Sequence, residues 1–217
     1  QSTSATKAMI FNSRCELRRR VNREHKQYYP QPGWVEHDPI EIYDNTIDAL
    51  RVLLEEERYS SMRSAHSLAQ IQESGKSYAL AITNQRETVV VWDKLTGIPV
   101  QRAVVWQCMR GADICRRLKE QGYEKIVMEG SGLIINPYFS ASGVRWILDN
   151  VPGAQERADR GELLMGTMDT WLIWKLTGGR VHATDYTNAS RTMLMNIHTL
   201  QWDDDLLRLF NITSSLM

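Results

Sequence analysis

Two adjacent residues of opposite charge, Arg86 and Glu87, interrupt the most apolar part of the chain. The runs at residues 78–82 and 89–92 flank them, and both runs have the length and composition of β-strands. Ligands often bind where strands of an open sheet end. A guanidinium offers donors in a fixed fork and a carboxylate offers acceptors, so this pair could hold a small molecule rich in hydroxyl groups. The alternative is a surface hairpin with an ion pair worth at most about 1 kcal/mol.

Three further features are candidates for binding. Residues 1–7 form a polar segment before a predicted strand, in which hydroxyls, backbone N–H groups and Lys7 could cradle phosphate oxygens. An ordinary polar terminus is the alternative there. Trp106 and Tyr138 are aromatic residues in loop contexts, whereas most of the other tryptophans are expected in the core.

Other chemistries lack the residues that they require. The five histidines form no close pair, and no HExxH or Cys/His cluster is present, so we predict no metal site formed by this chain. No GxSxG, Walker A or GxGxxG sequence occurs. The basic run at residues 18–20 has no interleaved aromatic residues. We expect it to lie on an exposed hairpin strand and not to bind nucleic acid.

Composition points to an ordinary globular protein. The 217 residues are 42% hydrophobic and 24% charged, and the formal net charge is zero. A neutral chain has no field that recruits nucleic acid or an anionic membrane, and no apolar run reaches the roughly 18 residues of a membrane helix. No signal peptide is visible, and the three cysteines suggest reduced thiols in a cytoplasmic protein.

The order of predicted elements indicates an α/β fold. Strands come first and in hairpins, and helices follow, which favours a mixed sheet with an antiparallel start and flanking helices. Asp38 and Pro39 mark a helix start. The predicted strands are 6–12, 15–27, 78–82, 89–92, 100–106 and 163–166, and the predicted helices are one from 39, one within 56–76, 109–121, 139–150, 154–160, one from 167 and 202–210. Residues 130–132 and 136–138 are predicted to be turns, and residues 183–191 are predicted to be a polar loop.

Seven segments resemble the glycerol kinases of the FGGY carbohydrate kinase family. They span nearly the whole chain in the family's order, and they match only its N-terminal portion. The segments are 29–39 (YPQPGWVEHDP), 82–88 (ITNQRET), 105–108 (VWQC), 136–140 (NPYFS), 161–164 (GELL), 167–175 (TMDTWLIWK) and 184–194 (TDYTNASRTML).

This resemblance implies an actin- or hexokinase-like fold of the ribonuclease H type, in which two such domains close on a cleft. It also implies cytoplasmic, ATP- and Mg²⁺-dependent phosphorylation of glycerol to glycerol 3-phosphate. At the matching positions, Arg86, Glu87 and Tyr138 would hydrogen-bond the glycerol hydroxyls. Trp106 would pack on the carbon backbone of glycerol.

The resemblance further implies that the first hairpin meets the nucleotide phosphates, with Thr3, Ser4, Ala5 and Lys7 at the matching positions. Two departures fall in this hairpin. Ser2 stands where the family has Gly, a residue that tolerates positive φ. Lys7 replaces the usual Arg, which exchanges a fork of donors for a point charge.

Both ends are expected to be incomplete, because the chain begins at Gln1 rather than Met and ends at Met217 without a terminating signal. The family's metal-associated Asp would precede Gln1, and its catalytic base would lie beyond Met217. We therefore expect residues 1–217 to be one glycerol-binding domain that is inactive alone and whose partner is a C-terminal domain. Assembly into a homo-oligomer is also compatible with the sequence. The alternatives are a non-catalytic FGGY-like remnant that acts as a binding module, and a kinase for another polyol or sugar.

Overall fold

The computed structural model describes residues 1–64 and 78–217, and of residues 56–64 only the backbone. The described chain separates into two compact units, Gln1–His25 with Ile40–Thr83 and Lys26–Pro39 with Asn84–Met217. The second helical piece predicted within 56–76 therefore lies mostly outside the described residues. None of the helices in the described ranges is long and apolar enough to span a membrane.

The first unit is built on an antiparallel hairpin of β1 (Ala5–Phe11) and β2 (Leu17–Glu24). One face of the hairpin packs against the helix Pro39–Ser64, where Val21 is buried with Ala49 and Leu53. Proline suits the first turn of that helix because its missing N–H would have no intrahelical partner there. The predicted hairpin and the predicted helix start are both confirmed.

The second unit contains a five-stranded sheet, built from β3 (Gln27–Tyr28), β4 (Glu36–His37), β5 (Val89–Asp93), β6 (Ala103–Val104) and β7 (Leu163–Thr167). The strand order is β3-β4-β6-β5-β7, and neighbouring strands pair antiparallel. The first four residues of β5 have no exposed surface, and all five of β7 are buried. The apolar runs at residues 89–92 and 163–166 therefore form fully buried strands, as expected for core strands.

Helices follow in the second half of the second unit, as the sequence predicted. They are Ala112–Glu120, Glu124–Ser131, Ser140–Asn150, Ala154–Asp159, Met168–Leu176, Tyr186–Ala189 and Asp204–Leu209, with a 3₁₀ turn at Ser214–Leu216. A small hairpin of β8 (Met195–Asn196) and β9 (Gln201–Trp202) lies between the last two helices. The α/β fold class is confirmed.

One glycine allows the helix Ser140–Asn150 to pack closely on the sheet. A Cβ atom built at Gly143 would lie 3.2 Å from Cγ1 of Val104 and 3.3 Å from Cγ1 of Val89. Such distances are tighter than ordinary van der Waals contact, so a larger residue would push the helix away from β5 and β6. This close approach brings the N-terminus of the helix beside the residues that precede β5.

A buried cation stabilises the other side of the second unit. The Arg110 guanidinium lies 4.2 Å from the ring of Trp34 and 4.6 Å from the ring of Trp146, within the range of cation–π contacts with both. Its Nη2 atom donates to Oε1 of Glu36 over 2.8 Å, and both side chains are nearly inaccessible to solvent. Strand β4 is thereby connected to the turn that follows β6.

Three sequence-based predictions were wrong. Residues 78–82 form no strand, because no described segment pairs with their backbone, and Tyr78 and Leu80 are more than half exposed. Gly130 and Ser131, predicted to lie in a turn, belong to the helix Glu124–Ser131, which Gly132 ends in the left-handed conformation. The expected strand at 100–106 is shortened to Ala103–Val104.

Two smaller differences concern the end of the chain. The polar stretch 183–191, predicted as a loop, contains the short helix Tyr186–Ala189, whose first turn is capped by the side chain of Asp185. Trp202 lies in strand β9, so the last helix begins after it, at Asp204.

Candidate functional site

The segment that carries Arg86 and Glu87 is a tight turn at the start of β5. The backbone N–H of Thr88 donates to the carbonyl oxygen of Gln85 over 3.2 Å, which closes the turn. Within it, Arg86 points to solvent and Glu87 is 6% exposed. The two side chains therefore lie in different environments, although they are neighbours in the sequence.

Contacts from other elements hold this turn in place. The Nδ2 atom of Asn84 donates to Oδ1 of Asp169 over 3.2 Å, and the buried amide of Gln85 lies 3.1 Å from Nδ1 of His37. The Ser140 hydroxyl donates to the backbone carbonyl of Glu87 over 3.0 Å. A turn with this many partners is preorganised, so little ordering is left for a ligand to impose.

The buried carboxylate of Glu87 is paired with a distant cation rather than with its neighbour. The Nε atom of Arg191 donates to Oε1 of Glu87 over 2.8 Å. No hydrogen bond or ion pair joins Arg86 to any described residue, so the expected alternative of an Arg86–Glu87 ion pair is wrong. Oε2 of Glu87 accepts no hydrogen bond from the described part of the chain, which leaves one carboxylate oxygen for a ligand hydroxyl.

Trp106 and Tyr138 lie together beside this ion pair. Their ring centroids are 5.4 Å apart, and the backbone N–H of Trp106 donates to the hydroxyl of Thr88 over 3.3 Å. The Arg191 guanidinium lies 5.9 Å from the ring centroid of Tyr138 and 4.8 Å from that of Phe139. We use the term Glu87 cluster for Glu87, Trp106, Tyr138 and Arg191.

A second buried carboxylate connects the segments that carry Glu87 and Arg191. Asp169 is 2% exposed; its Oδ1 accepts from the hydroxyl of Thr167 over 2.5 Å as well as from Asn84. Its Oδ2 accepts from the hydroxyl of Thr184 over 2.7 Å. Asp169 thus hydrogen-bonds both to the turn that contains Glu87 and to the start of the loop that leads to Arg191.

The four residues expected at the nucleotide phosphates lie in the first unit. Thr3 and Ser4 precede β1, Ala5 begins it, and Lys7 lies exposed on it. The N–H and the hydroxyl of Ser2 both donate to the carbonyl of Ala5, over 2.8 and 2.9 Å, and Ser2 is not among the described residues with positive φ. The serine therefore closes the turn without the strain that a glycine would avoid.

A pocket of about 210 Å³ lies near strand β7 and is separate from the Glu87 cluster. Thr167, Thr184 and His182 are among its lining residues, and none of the residues predicted to bind glycerol lines it. Burial lowers the pKa of His182, and the Met165 carbonyl that accepts its Nε2–H over 2.8 Å only partly offsets this. No group of three or more His, Cys, Asp or Glu residues in the described ranges could hold a metal ion.

Reasoning from the sequence missed two residues of this site, Arg191 and Asp169. Arg191 lies 104 residues beyond its partner, so no local pattern indicates the contact. Asp169 lies in the first turn of the helix Met168–Leu176, where a carboxylate is typical of any helix start and indicates no site. Both residues lie inside the segments 167–175 and 184–194 that resemble glycerol kinases, and that resemblance was the signal that could have found them.

Comparisons with known proteins agree with the resemblance. Residues 1–217 match the N-terminal domain of the FGGY family of carbohydrate kinases. The chain is 52% identical to glycerol kinase 1 of Thermotoga maritima and 50% identical to the glycerol kinase of a Geobacillus species, in each case over its whole length. It covers only 42% and 41% of those two relatives, so the chain spans about two fifths of their length.

Solved structures show the same fold. The crystal structure of Plasmodium falciparum glycerol kinase with ADP superposes with a TM-score of 0.85 and 35% identity, over 98% of this chain and 40% of that one. Gluconate kinase from Lactobacillus acidophilus has a TM-score of 0.81 at 19% identity, over 99% of this chain and 39% of that one, a likeness of fold alone. With the whole chain matched by the family's N-terminal domain, the protein belongs to the FGGY family of carbohydrate kinases.

Proposed function

We propose that the complete protein transfers the γ-phosphoryl group of ATP to a terminal hydroxyl of glycerol, and that residues 1–217 supply its glycerol-binding half. The observation that carries the proposal is the Glu87 cluster, in which one carboxylate oxygen is held by Arg191 and the other accepts no hydrogen bond from the residues described. The glycerol kinases that match the whole chain support glycerol as the acceptor.

Each residue of the proposed site has a separate role in holding a triol. Oε2 of Glu87 accepts a hydrogen bond from one glycerol hydroxyl, and the exposed guanidinium of Arg86 donates to another. The Tyr138 hydroxyl adds a third polar contact, and the Trp106 ring packs on the carbon backbone. Phosphoryl transfer depends mainly on positioning the attacking hydroxyl in line with the phosphate, and a rigid set of contacts achieves that.

The first hairpin has donors suited to the nucleotide phosphates. Ser4 and Lys7 are exposed, so the hydroxyl of Ser4 and the ammonium of Lys7 can reach a ligand. Such groups, together with backbone N–H groups, bind phosphate oxygens in tight turns. Thr3 and Ala5 complete the set that we assign to these phosphates. ATP supplies the transferred group, and we assign no residue of this chain to Mg²⁺, which commonly binds through substrate phosphates and water.

We also propose that residues 1–217 form one domain and that a second domain supplies the catalytic base. The relatives are more than twice as long as this chain, which supports a further domain in the complete protein. The three free cysteines are compatible with the cytoplasm, where we place the reaction.

The test is a coupled ADP-release assay on the complete protein with glycerol, erythritol, xylulose and ribulose. We expect the highest kcat/KM for glycerol; a clear preference for a pentulose would overturn the assignment of substrate. Glycerol binding by calorimetry without turnover would favour a non-catalytic binding module instead. Residues 1–217 alone should show no turnover, and turnover that disappears in Glu87→Ala would contradict the need for a second domain.

A further inference from the structure

Three segments of the chain meet at Glu87. The Ser140 hydroxyl donates to the Glu87 carbonyl over 3.0 Å, and the next residue, Ala141, donates from its N–H to the carbonyl of Thr192 over 2.9 Å. The N-terminus of the helix Ser140–Asn150 therefore contacts both Glu87 and the residue after Arg191. This arrangement fixes the backbones of the two partners independently of their ion pair.

The guanidinium of Arg191 is oriented by more than its contact with Glu87. It lies 4.8 Å from the ring centroid of Phe139, within the range of a cation–π interaction, and its side chain is 27% exposed. The N–H of Arg191 donates to the carbonyl of Asn188 over 2.9 Å at the end of a short helix. Arg191 is consequently a fixed donor rather than a mobile surface cation.

We propose that Arg191 is a positioning residue that sets the orientation of Glu87, and that it thereby selects acceptors with a hydroxyl opposite Glu87. The inference rests on the proposed polyol phosphorylation and deepens it. Arg191 engages Oε1, and Oε2 is the carboxylate oxygen that accepts no hydrogen bond from the described chain. The ion pair determines the direction in which Oε2 points.

Physical chemistry gives the reason why the orientation depends on Arg191. A buried carboxylate is costly unless it is paired and hydrogen-bonded, and Glu87 is 6% exposed. Its only ion pair with a described residue is the one with Arg191. Removal of the guanidinium leaves the charge uncompensated, which favours rotation of the carboxylate toward solvent and away from the acceptor hydroxyl.

The test uses the complete protein and four variants, Arg191→Met, Arg191→Lys, Glu87→Gln and the double variant Glu87→Gln/Arg191→Met. For Arg191→Met we expect kcat/KM for glycerol to fall on the order of 10- to 100-fold, the value of one charge-assisted hydrogen bond. The KM for ATP should stay unchanged. Arg191→Lys keeps the charge and should recover part of the loss, and the double variant should be little worse than the poorer single variant.

Two deoxy analogues distinguish positioning from a general structural role. Relative to glycerol, propane-1,2-diol lacks one terminal hydroxyl and propane-1,3-diol lacks the central hydroxyl. One analogue lacks the hydroxyl that donates a hydrogen bond to Glu87. If Arg191 acts through Glu87, Arg191→Met lowers kcat/KM for that analogue by only about twofold. The matched control is Arg208→Met, an exposed arginine paired with Asp205 over 3.0 Å, which should leave all three acceptors unaffected.

The inference is overturned if Arg191→Met keeps the wild-type kcat/KM, loses the same factor with all three acceptors, or changes only the KM for ATP. If Arg191→Met does not fold, Arg191→Lys is measured with the three acceptors and judged by the same criterion. If the wild-type protein prefers another polyol, the assignment of glycerol fails, and the variants are measured on the preferred acceptor and on its deoxy analogues. Failure of the role proposed for Arg191 is thus distinguishable from failure of the assignment of glycerol.

Discussion

Asn84 and Asp169, which are 85 positions apart, share a hydrogen bond of 3.2 Å between Nδ2 and Oδ1. Asp169 also accepts from Thr184, so one buried carboxylate connects the turn before β5 with the loop after the helix Met168–Leu176. These two segments supply Glu87 and Arg191. The geometry of the proposed acceptor site therefore depends on a residue that belongs to neither segment.

Substitution of Asp169 by Asn should weaken this connection. The Asn side chain replaces one acceptor oxygen by a donor, so either Asn84 and Thr167 or Thr184 loses its partner. We expect the unfolding free energy to fall by about 1–3 kcal/mol and the KM for glycerol to rise. Denaturant unfolding and the coupled assay measure these effects. Asp113→Asn, at an exposed carboxylate, is the control, and equal effects of both variants would contradict the prediction.

The buried pair of Glu36 and Arg110 should matter for stability. Arg110→Met leaves the Glu36 carboxylate buried without its main partner, which should lower the unfolding free energy by about 3–5 kcal/mol. The double variant Glu36→Gln/Arg110→Met should lose less, because no buried charge remains. Denaturant unfolding checks both values. Arg208→Met, at an exposed pair, should cost no more than about 1 kcal/mol; a similar loss at the two arginines would refute the assignment.

Stability should fall in mildly acidic solution because of His182. Burial lowers the pKa of His182 in the folded chain, so the unfolded chain binds a proton first as the pH falls. The contribution of the neutral ring is complete above the unfolded pKa, roughly 6.5, and is lost as the pH falls from there through the lower folded pKa.

The measurement is the Tm between pH 7.5 and 5.5, followed by circular dichroism. His182→Gln, whose amide can still donate to the Met165 carbonyl, should show a shallower decline than the wild type. Part of the slope should persist, since burial also lowers the pKa of His25. A decline as steep in His182→Gln as in the wild type would show that His182 is not responsible.

The three cysteines should differ in reactivity. Burial raises the pKa of Cys115 to about 11, and Cys108 is also buried, whereas Cys15 is exposed. Because the thiolate is the reactive form, iodoacetamide at pH 8 should alkylate Cys15 alone in the native protein and all three residues in denaturant. Peptide mass spectrometry locates the label, and rapid native alkylation of Cys115 would contradict its burial.

Local patterns in the sequence predicted the elements that local interactions determine. The apolar run before Thr167 became strand β7, and the apolar spacing after it became the helix Met168–Leu176. Residues 78–82 have the same composition as a strand, yet composition does not supply a pairing partner. The sequence around Gly130 is typical of a turn but belongs to the helix Glu124–Ser131. Glycine is tolerated in the last turn of a helix when packing stabilises that helix.

The candidate site was predictable from the sequence only by resemblance. A charged pair at Arg86 and Glu87 is equally typical of an exposed turn, and what separates the two possibilities is burial of Glu87 against Arg191. That burial results from contacts between residues far apart in the chain, for which periodicity and turn signals carry no information. The roles of Arg86, Glu87, Trp106 and Tyr138 in binding an acceptor stay predictions.

The separation between Glu87 and Arg191 also bears on how the protein acquires its site during synthesis. A contact between positions far apart in the chain costs loop-closure entropy before it contributes stability, so it forms late in folding. A nascent chain that has emerged only as far as β7 contains Glu87, Trp106 and Tyr138 but lacks the cation that orients the carboxylate. The acceptor site that we propose is therefore complete only once the loop that carries Arg191 has docked.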